Sequence, residues 1–242
     1  MHSAIAKNKR NTTFIIVGFI LFFSGVATFV GYLMDNYWVT VGIIGFVFVF
    51  TVIQFFAAGR MAMGLAGGRE IKKEDNPKLW NIVENLSISE GMPMPRVFII
   101  EDESLNAFAT GRDPKHAVVA ATTGLLAIMD DKELEGVMAH ELGHVKNYDI
   151  RVSTIVFGLV SAVGVLADFA IRMAFFSNHG GGRRDSNDNG LGIALILIGV
   201  VASIIAWLIG PIVSAAVSRQ REYLADATGA KTTRYPEGLA SA

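Results

Sequence analysis

Met138-Ala-His-Glu-Leu-Gly-His-Val-Lys146 sets two histidines four residues apart, with a glutamate directly after the first. On an α-helix that spacing puts His140 and His144 one turn apart on one face, so both imidazoles can reach a single ion. Catalytic zinc takes nitrogen and carboxylate ligands and keeps one position for water, which a neighbouring carboxylate can deprotonate. His140 and His144 are therefore expected to bind metal, and Glu141 to act as general base. The plain alternative is a polar helix face with hydrogen-bonded histidines, but with five histidines in 242 residues this pattern rarely arises by chance.

Just upstream, Asp130 stands where an N-cap would, and Glu133 three residues on completes capping-box spacing, so the helix is expected to begin near Asp131. Leu134, Val137, Met138, Leu142 and Val145 supply its apolar face. Gly143 admits two readings, close approach of another group to the metal or packing against a neighbouring element. There is no cysteine, so a metal here must be held by histidine and carboxylate.

Composition sets the surroundings. Hydrophobic residues make up 52% and charged residues 18%, against about 25% charged in an ordinary soluble domain, which predicts an integral membrane protein. The net charge of −1 and the lack of a clustered basic patch give no footprint for nucleic acid. Four apolar runs are long enough to cross a ~30 Å hydrocarbon core: 11–34, 37–59, 152–176 and 191–217. The last contains Gly210-Pro211, a kink signal. Lys7, Lys9 and Arg10 precede the first hairpin and Arg60, Arg69, Lys72 and Lys73 follow it, whereas its turn carries only Asp35. By the excess of Lys and Arg on cytoplasmic flanks, the N-terminus and the segment after Gly59 are expected in the cytoplasm.

Between the hairpins the chain reads as a soluble α+β region. Gly64, Gly67 and Gly68 suggest a flexible exit from the membrane, and Asn76-Pro77 starts a helix that Gly91 stops. Three extended pieces follow, Arg96–Ile100, Asn106–Thr110 and Ala117–Ala121, expected to form a small antiparallel sheet beside the metal helix. No glycine or proline separates that helix from the third apolar run, so the chain is expected to enter the membrane directly from it, with few residues between. Asp168 and Arg172 within the run read as an i,i+4 ion pair rather than a relay. The polar loop 177–190, with His179, reads as solvated.

A site with two histidines needs a third ligand, commonly a carboxylate, and a further carboxylate to orient an imidazole. Glu222 and Asp226, four apart directly after the last apolar run, take these two roles. The two intervening spans return Glu222 to the side of the histidines.

His140-Glu-Leu-Gly-His144 and Arg221-Glu-Tyr-Leu-Ala-Asp226, with Asn106-Ala-Phe-Ala109, make the sequence resemble the HtpX membrane zinc metalloproteases, relatives of the CAAX prenyl proteases. The resemblance implies a quality-control endopeptidase of the plasma (inner) membrane that acts on misfolded or damaged membrane proteins from the cytoplasmic side. It implies one zinc per chain, held by His140, His144 and Glu222, and an edge strand at Asn106, Ala107, Phe108 and Ala109 that binds substrate. An ordinary hairpin strand is the alternative for those four residues. The architecture so implied is an α-helical membrane protein of four transmembrane helices with an α+β zincin-like cytoplasmic domain. Its expected segments are 1–59 (tail and first hairpin), 60–151 (catalytic region), 152–217 (second hairpin) and 218–242 (helix with the third ligand). Tyr235-Pro236 opens a new helix where such proteins usually continue, so the chain is expected to be a fragment. A catalytically inactive membrane scaffold with a structural zinc is the alternative to a protease.

Overall fold

The structure, a computed structural model, describes residues 2–33, 35–179, 199, 219–233 and 235–241. The chain divides into two compact units, Thr13–Phe55 with Val156–Ala215, and Met1–Thr12 with Phe56–Ile155 and Ala216–Ala242.

The first unit holds the bodies of the long apolar helices. Helix α1 runs His2–Leu33 and α2 runs Tyr37–Leu65, with Asp35 in the left-handed region (φ 47°) at the turn between them. Ile5–Tyr32 and Tyr37–Leu65 are each long and apolar enough to cross a bilayer, and only 22% of the most apolar window of each is buried. A core helix of a soluble protein would bury most of that window, whereas Phe14, Leu21, Phe29, Phe46 and Phe48 are exposed here, as lipid-facing side chains are. Phe23, Val47 and Val163 form the small internal cluster of this unit. The third run forms α6, Asp149–His179, where the Arg172 Nε–H donates to Asp168 Oδ2 at 2.7 Å, the expected i,i+4 ion pair. The run 191–217 lies outside the described residues apart from Gly199.

The second unit is built on a four-stranded sheet of order β1-β2-β4-β3. Its strands are β1 Gly68–Glu70, β2 Arg96–Ile100, β3 Ala107–Gly111 and β4 Ala117–Thr122. The sheet is mixed, which corrects the antiparallel expectation: β2 and β4 pair in parallel, while β1 and β3 flank them antiparallel. Burial explains the order. Every residue of β4 and all of β2 after Arg96 are buried, so these strands belong inside with both faces covered. β3, half-exposed over its first three residues, goes to the edge.

One face of the sheet carries Val97, Ile99, Val119 and Ala121 against two helices, α3 (Pro77–Glu90) and α5 (Asp131–Lys146). Both helices start as their caps dictate. The Asn76 side chain accepts the Leu79 N–H at 3.0 Å ahead of Pro77, and Asp130 with Glu133 forms the complete capping box, each cap contributing about 1 kcal/mol. α3 ends at Gly91, whose φ of 63° suits glycine. Between the sheet and α5 lies the short helix α4, Thr123–Ile128.

The other face of the sheet corrects the expected flexible exit. α2 continues to Leu65, six residues beyond the expected end at Gly59, because Ala62, Met63 and Ala66 pack on Phe98, Ile100, Val118 and Ala120. Helix α7 (Arg219–Thr233) and the short α8 (Pro236–Ser241) complete the unit. Gly143 of α5 settles its two readings in favour of packing, since a Cβ there would lie 3.2 Å from Ala225 O and 3.3 Å from Ala225 Cα of α7.

Candidate metal centre

α5 and α7 meet through small residues. Ala225, Thr228 and Gly229 are buried against α5, and a Cβ on Gly229 would stand 3.2 Å from the His140 backbone nitrogen. This close approach brings short side chains of one helix to the other. Glu222 Oε2 lies 3.4 Å from His140 Nε2 and 3.7 Å from His144 Nε2, and the two Nε2 atoms are 3.1 Å apart. Ligands at ~2.0–2.1 Å from a tetrahedral zinc stand ~3.3–3.4 Å apart, so the three atoms already have the spacing of a ligand set. Among the described residues, His140, His144 and Glu222 form the group of three that could hold a metal ion.

The hydrogen bonds fix what these atoms offer. His140 Nδ1 meets Asp226 Oδ1 at 2.8 Å, and His144 Nδ1 meets Asp149 Oδ2 at 3.3 Å. A carboxylate only accepts, so each Nδ1 carries the proton and each Nε2 presents a lone pair. Two lone pairs and a carboxylate oxygen thus converge, the donor set that a divalent cation such as zinc takes. The residues present fit zinc.

Burial pushes the Glu141 carboxyl above its usual range, against the downward pull of His144, His140 and a hydrogen bond from the Ala109 backbone N–H. Burial opposes charge on His144, but the Asp149 hydrogen bond with Glu141 and Glu222 outweighs it, and its net direction is upward. The Ala109 contact ties Glu141 to the sheet edge. In β3 the alternation that faces Ala109 N–H toward Glu141 also turns the backbone groups of Ala107 away from β4. At the far end this edge is occupied, since the Gly111 N–H donates to Thr154 Oγ1 at 2.9 Å.

Of the residues singled out from sequence, His140, Glu141, His144, Glu222 and Asp226 come together. Ala107 and Ala109 face the α5 side of the sheet, and Asn106, exposed, immediately precedes β3. Phe108 does not join them, because its side chain packs on the opposite face.

The structure adds Asp149, which sequence reading missed. α5 stops at Lys146 and α6 starts at Asp149, with Tyr148 at φ 61° between them. On an unbroken helix the fifth residue along points ~140° away. The break redirects Asp149 onto His144, at a strain of about 1–3 kcal/mol for a non-glycine residue in the left-handed region.

The profile of Peptidase family M48 matches residues 73–242. The chain belongs to this family. A protease HtpX homolog of Tropheryma whipplei (strain Twist) is 53% identical over 248 residues, spanning 100% of this chain and 80% of the relative. One from Streptococcus uberis (strain ATCC BAA-854 / 0140J) is 43% identical over 246 residues, spanning 99% and 81%. The crystal structure of S. mikatae Ste24p aligns with a TM-score of 0.48 at 20% identity, and the alignment spans 96% of this chain and 58% of that one. As an M48 member close to the HtpX proteases the chain is a metalloprotease, and the two candidate spans among its described residues fit a membrane location.

Proposed function

We propose that this M48 member is a multi-pass plasma-membrane zinc endopeptidase that cleaves misfolded or damaged membrane proteins from the cytoplasmic side. The observation that carries the reading is the convergence of His140 Nε2, His144 Nε2 and Glu222 Oε2 beside Glu141 and the edge of β3. His140, His144 and Glu222 would hold one zinc per chain, which would polarise the scissile carbonyl and lower the pKa of bound water. Glu141 takes the proton of the attacking water at its carboxylate and passes it to the leaving amine nitrogen; its raised pKa suits that exchange. The outward backbone groups of Ala107, with the Ala109 carbonyl, hold an extended substrate by strand pairing, which reads backbone rather than side chains and suits unfolded segments of any sequence. Asp226 and Asp149 keep the imidazoles turned.

The membrane topology of this proposal has four spans, with α6 and the run 191–217 as the second hairpin. Its support is parity: Glu222 lies beside His140, so the chain between them crosses an even number of times. The basic flanks support the cytoplasmic side for both.

The test uses the full chain in detergent with an unfolded membrane protein and its folded counterpart. Cleavage is expected to stop on chelation, to return with zinc, and to favour the unfolded form; chelator-resistant cleavage, or equal rates on both forms, would overturn the reading. Asp226→Asn, measured beside it, is expected to weaken zinc binding roughly 10-fold. Unchanged affinity there would remove Asp226 from the centre.

A further inference from the structure

We infer that Asn8, near the start of the first apolar helix, is a positioning residue for the metal centre, holding the Asp149 carboxylate against His144. The inference rests on the proposal that His144 is a metal ligand. Asn8 is buried, 4% exposed, and its Nδ2 donates to Asp149 Oδ1 at 2.6 Å and to the Asn147 carbonyl at 3.0 Å. A side-chain amide has two N–H bonds, so it makes both at once. Asp149 in turn divides its oxygens, Oδ1 toward Asn8 and Oδ2 toward His144 Nδ1. The neighbouring Lys9 Nζ stands 4.5 Å from the centre of the Tyr148 ring. Three consecutive residues of the break between α5 and α6 are therefore held from one turn of α1: Asn147 by its carbonyl, Tyr148 by its ring and Asp149 by its carboxylate.

This grip matters because the break is strained and Asp149 is 6% exposed. A hydrocarbon in place of Asn8 takes a donor from a buried carboxylate and from a backbone carbonyl. The Asp149 carboxylate is then held less firmly, and the 3.3 Å contact that orients the His144 ring is the first to lengthen. Asn8 and Lys9 precede the matched residues 73–242. The segment that leads into the membrane is thus part of the metal centre, although the family profile starts more than sixty residues later.

The test is the zinc dissociation constant of the full chain in detergent, by competition with a chromogenic chelator. Loss of a carboxylate that orients a ligand typically weakens metal binding ~10–100-fold, which is the expectation for Asp149→Ala. Asn8→Ala acts one bond further out, and roughly 3–10-fold weakening is expected. Because Asn8 works through Asp149, the double variant should match Asp149→Ala within about 2-fold. Thr12→Val is the structural control: it removes the hydrogen bond from Thr12 Oγ1 to the Asn8 carbonyl, equally buried and on the same turn, and should leave zinc affinity unchanged. If Asn8→Ala does not fold, Asn8→Ser, too short to reach Asp149, takes its place with the same expected loss. Unchanged affinity in the Asn8 variant, multiplying effects in the double variant, or equal loss in Thr12→Val would each overturn the inference. His144→Ala in the same series separates the two failures, because zinc retained without His144 sinks the metal-centre proposal itself.

Discussion

Glu141→Gln is expected to lower proteolysis by roughly 10²–10⁴-fold while zinc content stays at the wild-type level. Glutamine keeps the shape and, through its amide oxygen, can still accept the Ala109 N–H that Glu141 accepts. It cannot take a proton from water at neutral pH. Folding should not suffer, because burial disfavours the charged carboxylate that the change removes. The three ligand atoms belong to other residues, so metal loading and chemistry separate in this one variant. Substantial cleavage by verified zinc-loaded Glu141→Gln would sink the general-base assignment. Equal zinc in wild type and variant with no activity in either would favour the scaffold reading instead.

The parts of this site that sequence disclosed are those whose chemistry repeats at helical spacing. His140 with His144, and Glu222 with Asp226, lie four apart, so each pair shares a face whatever else the chain does. Asn76 and the Asp130–Glu133 box were legible for a similar reason, since a cap acts within one turn. What stayed hidden depends on contacts between distant segments. The break at Tyr148 has neither glycine nor proline, and its three residues are held from Asn8 and Lys9, about 140 positions away. Without the break Asp149 points elsewhere, so its part in the site could not be read. The sheet gave the same lesson. β1 lies in a glycine-rich stretch and becomes a strand only because Arg69 and its neighbours find β2 to pair with. The inner position of β2 and β4 follows from burial on both faces, which alternation within a short strand does not reveal. Gly59 and Gly64 suggested an end to α2, yet packing on Phe98 and Val118 carries the helix past both.

The contact between α5 and α7 leads to the other large expected effect, that Gly229→Val costs the protein most of its zinc. Gly229 is buried, and a Cβ there would stand 3.2 Å from the His140 nitrogen, 3.4 Å from the Ala139 carbonyl carbon and 3.5 Å from the His140 Cα. All three are backbone atoms inside a packed helix, so they cannot move aside as the tip of a flexible side chain would. For Gly229→Ala the two effects nearly cancel: helix propensity gains about 1 kcal/mol and a contact tight by a few tenths of an ångström takes a similar amount back. Valine adds two further carbons, and overpacking of about 1–3 kcal/mol outweighs that gain. The strain is most simply relieved by α7 moving off α5. Glu222 and Asp226 move with it, so the centre loses a ligand and the partner of His140 together. The combined loss should exceed the ~10–100-fold expected for an orienting carboxylate alone. Zinc titration of Gly229→Ala and Gly229→Val decides the point. Near-wild-type affinity in alanine with a collapse in valine is the expected pattern, and a valine variant that binds zinc normally would show that α7 holds its ligand without this close approach.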